Sequence, residues 1–293
     1  MDIAVLGALS VRENGISITP TAPKPRQVLA LLALHADQVV PVSALIEELW
    51  AGEPPRSART TLQTYVLQLR SLISTALEHG DPGAGADAED APAGPGTVPA
   101  RRRTAKDVLV TLPGGYLLNS GGGTSDVREF DRLAGMGYRA MDAGDFPGAA
   151  RLLREALSLW SGPAFADVQG GIQLDMETRR LEEIRLCALD QRIEADLRLG
   201  RHRELLAELT VLASRYLTHE SLHGQFMLAL HRSGRRGEAL DAYQRLRGTL
   251  VRELGLEPSA ALRRLQRSIL MAGPEIPGEP AETRGGERLA RVG

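Results

Sequence analysis

The spacing of apolar residues changes period several times along the chain, and each change predicts an element. At the start the apolar positions alternate as in strands: Ile3 and Val5, then Leu9 and Val11, then Ile16 and Ile18. Asn14-Gly15 between the last two runs predicts a hairpin, since both residues tolerate the positive φ of a type I′ turn. After Pro25 the period becomes helical, with Val28, Leu31, Leu32 and His35 on one side. Pro41 opens a second helix that runs to Trp50 and stops at AGEPP, and Ser57 is placed to cap a third.

That third helix, residues 56 to 78, has two faces of opposite chemistry. Stepping about 100° per residue from Leu62 puts Val66, Leu69 and Ile73 within about 40° of it, a stripe that faces a core. Thr60, Thr64 and Ser71 fall near the opposite pole, with Gln63, Leu67 and Gln68 to either side. No acidic residue occurs between Arg56 and Thr75. Hydroxyls and amides on an exposed face can read base edges while nearby arginines hold phosphates, so this is the candidate recognition helix.

Past Gly80 the pattern gives way to DPGAGADAEDAPAGPGTVPA, which cannot bury a core; residues 81–107 are expected to form a disordered insertion. Arg101, Arg102, Arg103 and Lys106 follow, a solvated tether or an arm that touches phosphates. VLVTLPGGYLLN then predicts two short strands around Pro113, Gly114 and Gly115. Strands, three helices and a hairpin, in that order, make a winged helix.

From Asp126 to Met271 the chain is helical and repetitive. GDFPGAARLLREAL, GRHRELLAELTVL and GRRGEALDAYQRL begin at Gly144, Gly200 and Gly234, spacings of 56 and 34. The second matches the tetratricopeptide period of about 34 residues per helix pair. The first leaves room for an extra helix, which IQLDMETRRLEEIRLCALDQ could supply. Gly137, Ala149 and Ala156 stand where paired helices must approach closely. The expected fold is mainly α. An N-terminal winged helix-turn-helix with small β-sheets covers 1–120, an all-α tetratricopeptide-like domain covers 126–272, and a disordered tail covers 273–293.

Composition narrows the function classes. The chain has 293 residues, room for about two domains of ordinary size, and a single cysteine, Cys187, so there is no disulfide framework. No signal peptide or membrane span is expected, and the location expected is a reducing cytoplasm, on the nucleoid. The formal net charge is −2. Residues 1–80 hold six basic side chains, Arg12, Lys24, Arg26, Arg56, Arg59 and Arg70, against seven acidic ones. Bulk charge therefore cannot carry nucleic-acid binding, but placement can, because Glu47, Glu48 and Glu53 lie upstream of the candidate helix.

Several long strings in this order resemble the Streptomyces antibiotic regulatory protein family, transcriptional activators of secondary-metabolite gene clusters, over roughly residues 1 to 272. KPRQVLALLALHAD, VSALIEELW, RTTLQTYVLQLR and PGGYLL are similar to the family's OmpR-type DNA-binding domain. RRLEEIRL, EADLRLGRHRELLAEL, HESLHGQFMLALHRSGRRGEALDAYQRLR and ELGLEPS are similar to its bacterial transcriptional activation domain. The resemblance implies activation by recruitment. The chain would bind direct repeats in promoter DNA as a head-to-tail pair with a second copy of itself, and contact RNA polymerase including its σ subunit. Neither the receiver of response regulators nor the ATPase module of larger family members is expected.

Base edges are expected to be read by Thr60, Gln63, Thr64 and Gln68, and the DNA backbone or wing contacts to come from Lys24, Arg26, Arg56, Arg59, Arg70 and Tyr116. No catalytic residue, metal or cofactor is expected. Two other readings compete: a tetratricopeptide adaptor that binds protein without reading DNA, and, remotely, a zinc peptidase. His219, Glu220 and His223 spell H-E-S-L-H, the pattern in which two histidines a turn apart bind zinc beside a glutamate base, but no third ligand is in register. Cys187 lacks a spaced His or Asn pattern and is expected to pack in the core.

Overall fold

The computed structural model describes residues 1–79 and 103–271. It contains two compact units, Met1–Ala195 and the chain from Asp196 onward. The insertion expected at 81–107 lies outside the described residues up to position 102, as does the tail after 271.

The first unit opens with an antiparallel sheet, β1 (Asp2–Ala4), β2 (Ser10–Glu13) and β3 (Ile16–Ser17). Asn14 and Gly15 turn the chain between β2 and β3 with φ of 50° and 78°, the positive values a type I′ hairpin requires. Helices α1 (Pro23–Leu34), α2 (Val42–Trp50) and α3 (Ala58–His79) follow, with β4 (Val39–Pro41) between the first two. After α4 (Ala105–Val108) come β5 (Leu109–Leu112) and β6 (Gly115–Leu118), and the second sheet has the order β4-β6-β5. Gly115 is there because β4 leaves no room: a Cβ would sit 2.6 Å from the carbonyl oxygen of Val40.

Two of these elements are absent from the sequence reading. β4 spans three residues and α4 four, too short to show a period. α4 starts on a capping box, with Thr104 and Asp107 each binding the other's end of the turn, so the stretch expected to be unstructured ends earlier than residue 107. The core joins the stripe of α3, Leu62, Val66, Leu69 and Ile73, to Val28 and Leu32 of α1, Leu45 of α2, and Leu109 and Leu118 of the wing, all buried.

The same unit continues through α5 (Asp126–Asp142) and α6 (Phe146–Ser158), and α7 (Ile172–Arg198) runs on to its boundary. Gly137 lets α5 and α6 close together; a Cβ there would lie 2.6 Å from Cγ of Leu153. The β1–β2 loop is tied to these helices through its backbone. Asp126 accepts hydrogen bonds from the amides of Val5 and Leu6 at 2.7 and 2.8 Å, and Ser161, Phe165 and Ala166 donate to the carbonyls of Leu6, Val5 and Gly7. The chain thus passes residues 121–125, the expected domain junction, without a break in packing.

In the second unit α8 (His202–Arg215), α9 (Glu220–Arg232), α10 (Arg236–Leu254) and α11 (Ala260–Met271) follow one another. The three glycines that marked the repeats, Gly144, Gly200 and Gly234, have φ of 75°, 80° and 80° and end the helices before α6, α8 and α10. They recur because a residue without Cβ takes the left-handed turn at a helix end at least cost. The expected extra helix is instead the front of α7, which is 27 residues long. With one pair so much longer, tetratricopeptide is only a loose description of these repeats. Among the described residues no helix is long and apolar enough to cross a membrane.

Candidate nucleic-acid interface

Helix α3 presents the two faces its sequence predicts. Leu62, Val66, Leu69, Ile73 and Ala76 are buried, whereas Thr60, Gln63, Thr64, Gln68 and Ser71 are exposed. All four expected base-reading residues therefore share one solvent-facing strip. Thr64 donates its hydroxyl to the carbonyl of Thr60 at 3.1 Å, a bond that leaves the oxygen's lone pairs free to accept. The first turn of α3 carries no acidic residue, and Arg56 and Arg59 are exposed beside it. The helix N-terminus adds its own partial positive charge to theirs, which suits a phosphate.

The other residues expected at the DNA backbone or wing have partners inside the protein. Arg70 donates through Nε and Nη2 to the carbonyl of Leu109 at 3.1 and 2.7 Å and through Nη2 to the Thr111 hydroxyl at 2.7 Å, so it pins the wing to α3. Lys24 donates to the carbonyl of Leu49 at 2.8 Å and to Gln27, joining α1 to the end of α2. Arg26 pairs with Asp167 and donates to the carbonyl of Pro20. Tyr116 is buried in β6, opposite Val40 on one side and Thr111 on the other. Arg103, from the basic cluster before the wing, bridges Glu13 at 2.9 Å and the carbonyl of Asn119 at 2.6 Å. These five side chains are engaged within the protein, whereas Arg56 and Arg59 are exposed.

A carboxylate that the sequence shows only as a charge upstream of α3 ties α2 to the start of α7. Glu48 on α2 is buried, and its carboxylate accepts from the amides of Gly171, Gln173 and Leu174 at 2.5, 2.9 and 3.2 Å, at the start of α7. Gln27 Nε2 donates to the same carboxylate at 2.9 Å. A carboxylate meeting the unpaired amides of a helix start is favourable on both hydrogen-bonding and dipole grounds. Nothing in the spacing around Glu48 points to a partner more than 120 residues away.

The competing chemical motifs are put to structural use. His219 is the N-cap of α9, its Nδ1 accepting from the Leu222 amide at 3.3 Å, and Glu220 accepts from the Ser259 amide at 2.7 Å. His223 is buried, with Nε2 3.2 Å from the carbonyl oxygen of Tyr216. No group of three metal-binding side chains occurs among the described residues. Cys187 is exposed rather than packed in the core. Its thiol is pushed up by partial burial and by Glu183 and Asp190, the reverse of nucleophile activation.

Burial pushes His223 below the ordinary histidine value of 6.5, and nearby His219 and Arg245 add to this. Its neutral form is therefore the one the fold holds. The stability it contributes is full above the unfolded value and is lost as pH falls from about 6.5 through the lowered folded value. Thermal melting between pH 8 and pH 5 is expected to show this loss in the wild type and a shallower one in His223→Gln. Equal slopes would remove His223 as the cause. His202, lowered by its own partial burial and by Arg232 and Arg203, accounts for a residual slope in both.

Residues 125–270 match the family model described as bacterial transcriptional activator domain, and residues 17–81 match that of transcriptional regulatory protein, C terminal. The chain is 51% identical over 286 residues to Regulatory protein DnrI of Streptomyces peucetius, covering 94% of this chain and 97% of that protein. It is 35% identical over 283 residues to Regulatory protein AfsR of Streptomyces coelicolor, covering 95% of this chain but 25% of that one. Among solved structures, Mycobacterium tuberculosis EmbR in complex with low affinity phosphopeptide superposes with a TM-score of 0.76 at 31% identity, over 92% of this chain and 64% of that one.

Proposed function

We propose, on the premise that this chain belongs to the Streptomyces antibiotic regulatory protein family, that it activates a secondary-metabolite gene cluster by binding promoter direct repeats through α3 and recruiting RNA polymerase. Family membership makes it a transcriptional regulator and not an enzyme. The observation that carries the DNA reading is the exposed strip of α3, free of carboxylates from Ala58 to Thr75 and flanked by Arg56 and Arg59. A helix of this kind fits the major groove, where Gln63 and Gln68 offer the amide that pairs with adenine. Residues 1–120 would hold the DNA, with a second copy head-to-tail on the next repeat. The helices of 126–272 would meet polymerase and its σ subunit, in the cytoplasm on the nucleoid.

Footprinting on the promoters beside this coding sequence tests the reading and supplies the site. On that site Gln63→Ala is expected to cost about 1–3 kcal/mol at one base position and to relax specificity there. Arg59→Ala is expected to weaken all duplexes alike and to reduce the salt slope by about 1. Identical losses on specific and random duplexes for both variants would remove α3 as the reading element. Salt-insensitive capture of a protein, with no footprint, would favour an adaptor.

A further inference from the structure

Leu67 is the anomaly on the face of α3. It is 63% exposed, and among the described residues of the winged region only Val39 is another large apolar side chain left in the open. At about 100° per residue Leu67 lies at about 140° from Leu62, between Gln63 and Thr60 and within the same strip as Thr64 and Ser71. It therefore belongs to the reading surface and not to the edge of the core. Burying it elsewhere in this unit would require turning the whole helix, because its neighbours Val66 and Leu69 are 2% and 1% exposed.

Its surroundings deepen the apolar spot. A helical side chain leans over the turn that precedes it, which carries Leu67 toward Thr64. Thr64 has turned its hydroxyl to the carbonyl of Thr60, so the end of that side chain without a polar engagement is its methyl. The isobutyl group of Leu67 thus stands exposed in a strip that is otherwise amide and hydroxyl. In the major groove one base edge offers a matching group, the C5-methyl of thymine.

We propose that Leu67 is a specificity-determining residue that packs against the C5-methyl of one thymine in each repeat. The inference rests on the reading of α3 as the DNA-binding helix. Its physical basis is the removal of two small apolar surfaces from water in a contact that cytosine, which lacks the methyl, cannot make.

Deoxyuridine isolates this contact, since it removes the methyl and leaves the pairing edge and the O4 acceptor unchanged. Short duplexes from the footprinted promoter, with each thymine replaced in turn, would be titrated with the full chain as wild type, Leu67→Ala and Leu67→Met. At one thymine per repeat the wild type is expected to lose about three- to tenfold in affinity on loss of the methyl. Leu67→Ala should show a similar loss on the thymine duplex and no further loss on deoxyuridine, while Leu67→Met should keep the discrimination. A wild type indifferent to deoxyuridine at every position, or a Leu67→Ala variant that keeps the full penalty, would overturn the proposal while leaving DNA binding intact. Absence of any footprint would instead defeat the DNA reading on which it rests.

Discussion

Replacing Glu48 by alanine is expected to destabilise the first unit by about 3–5 kcal/mol, a large part of the stability of an ordinary domain. The carboxylate is 2% exposed and accepts from three amides at the start of α7 and from Gln27. Alanine removes the acceptor and leaves the donors, and each buried donor without a partner costs about 1–3 kcal/mol less whatever water recovers. Both tryptophans of the chain, Trp50 and Trp160, lie in this unit, so intrinsic fluorescence during urea unfolding reads it directly. A midpoint within about 0.5 kcal/mol of wild type would mean that the carboxylate link carries no net stability.

The second large effect is expected at Leu69→Ala, about 2–5 kcal/mol of lost stability. Leu69 is 1% exposed and packs in the core shared by α1, α3 and the wing. The range reflects how far such a site can collapse around the missing atoms. Leu67→Ala, the same substitution two residues earlier, is expected to change stability by less than about 0.5 kcal/mol and to act on DNA binding alone. Melting and duplex titration of the two variants therefore separate the faces of α3 by their effects. If Leu67→Ala melted as early as Leu69→Ala, the exposed face would have a packing role and its assignment to DNA would fail.

Particular residues show how much of this was legible in advance. The α3 stripe, the Asn14-Gly15 turn and the glycines at 144, 200 and 234 lie where the periodicity put them. Each depends on interactions within a few residues, or on a φ that a side chain disfavours. The strip with Thr60, Gln63, Thr64 and Gln68 is exposed as expected for the same reason. The basic residues were less legible. Arg70 and Arg26 have the composition of phosphate contacts, but their partners are Leu109, Thr111 and Asp167, 39, 41 and 141 residues further on. H-E-S-L-H misleads in the opposite direction, since its three polar side chains serve a helix cap, a neighbouring amide and a carbonyl.

The sequence by itself determined the glycine-marked turns before α6, α8 and α10, the stripe that α3 buries and the family the strings belong to, because these follow from local period and residue type. Only the tertiary structure decided which charges remain for a ligand. A guanidinium or carboxylate is claimed by whatever donor or acceptor the fold brings within about 3 Å, and desolvation makes leaving that partner unpaired costly. Glu48, Arg26, Arg70 and Arg103 were claimed in this way. Among the described residues Arg56, Arg59 and the outer face of α3 stay exposed, and that difference supports the proposed interface.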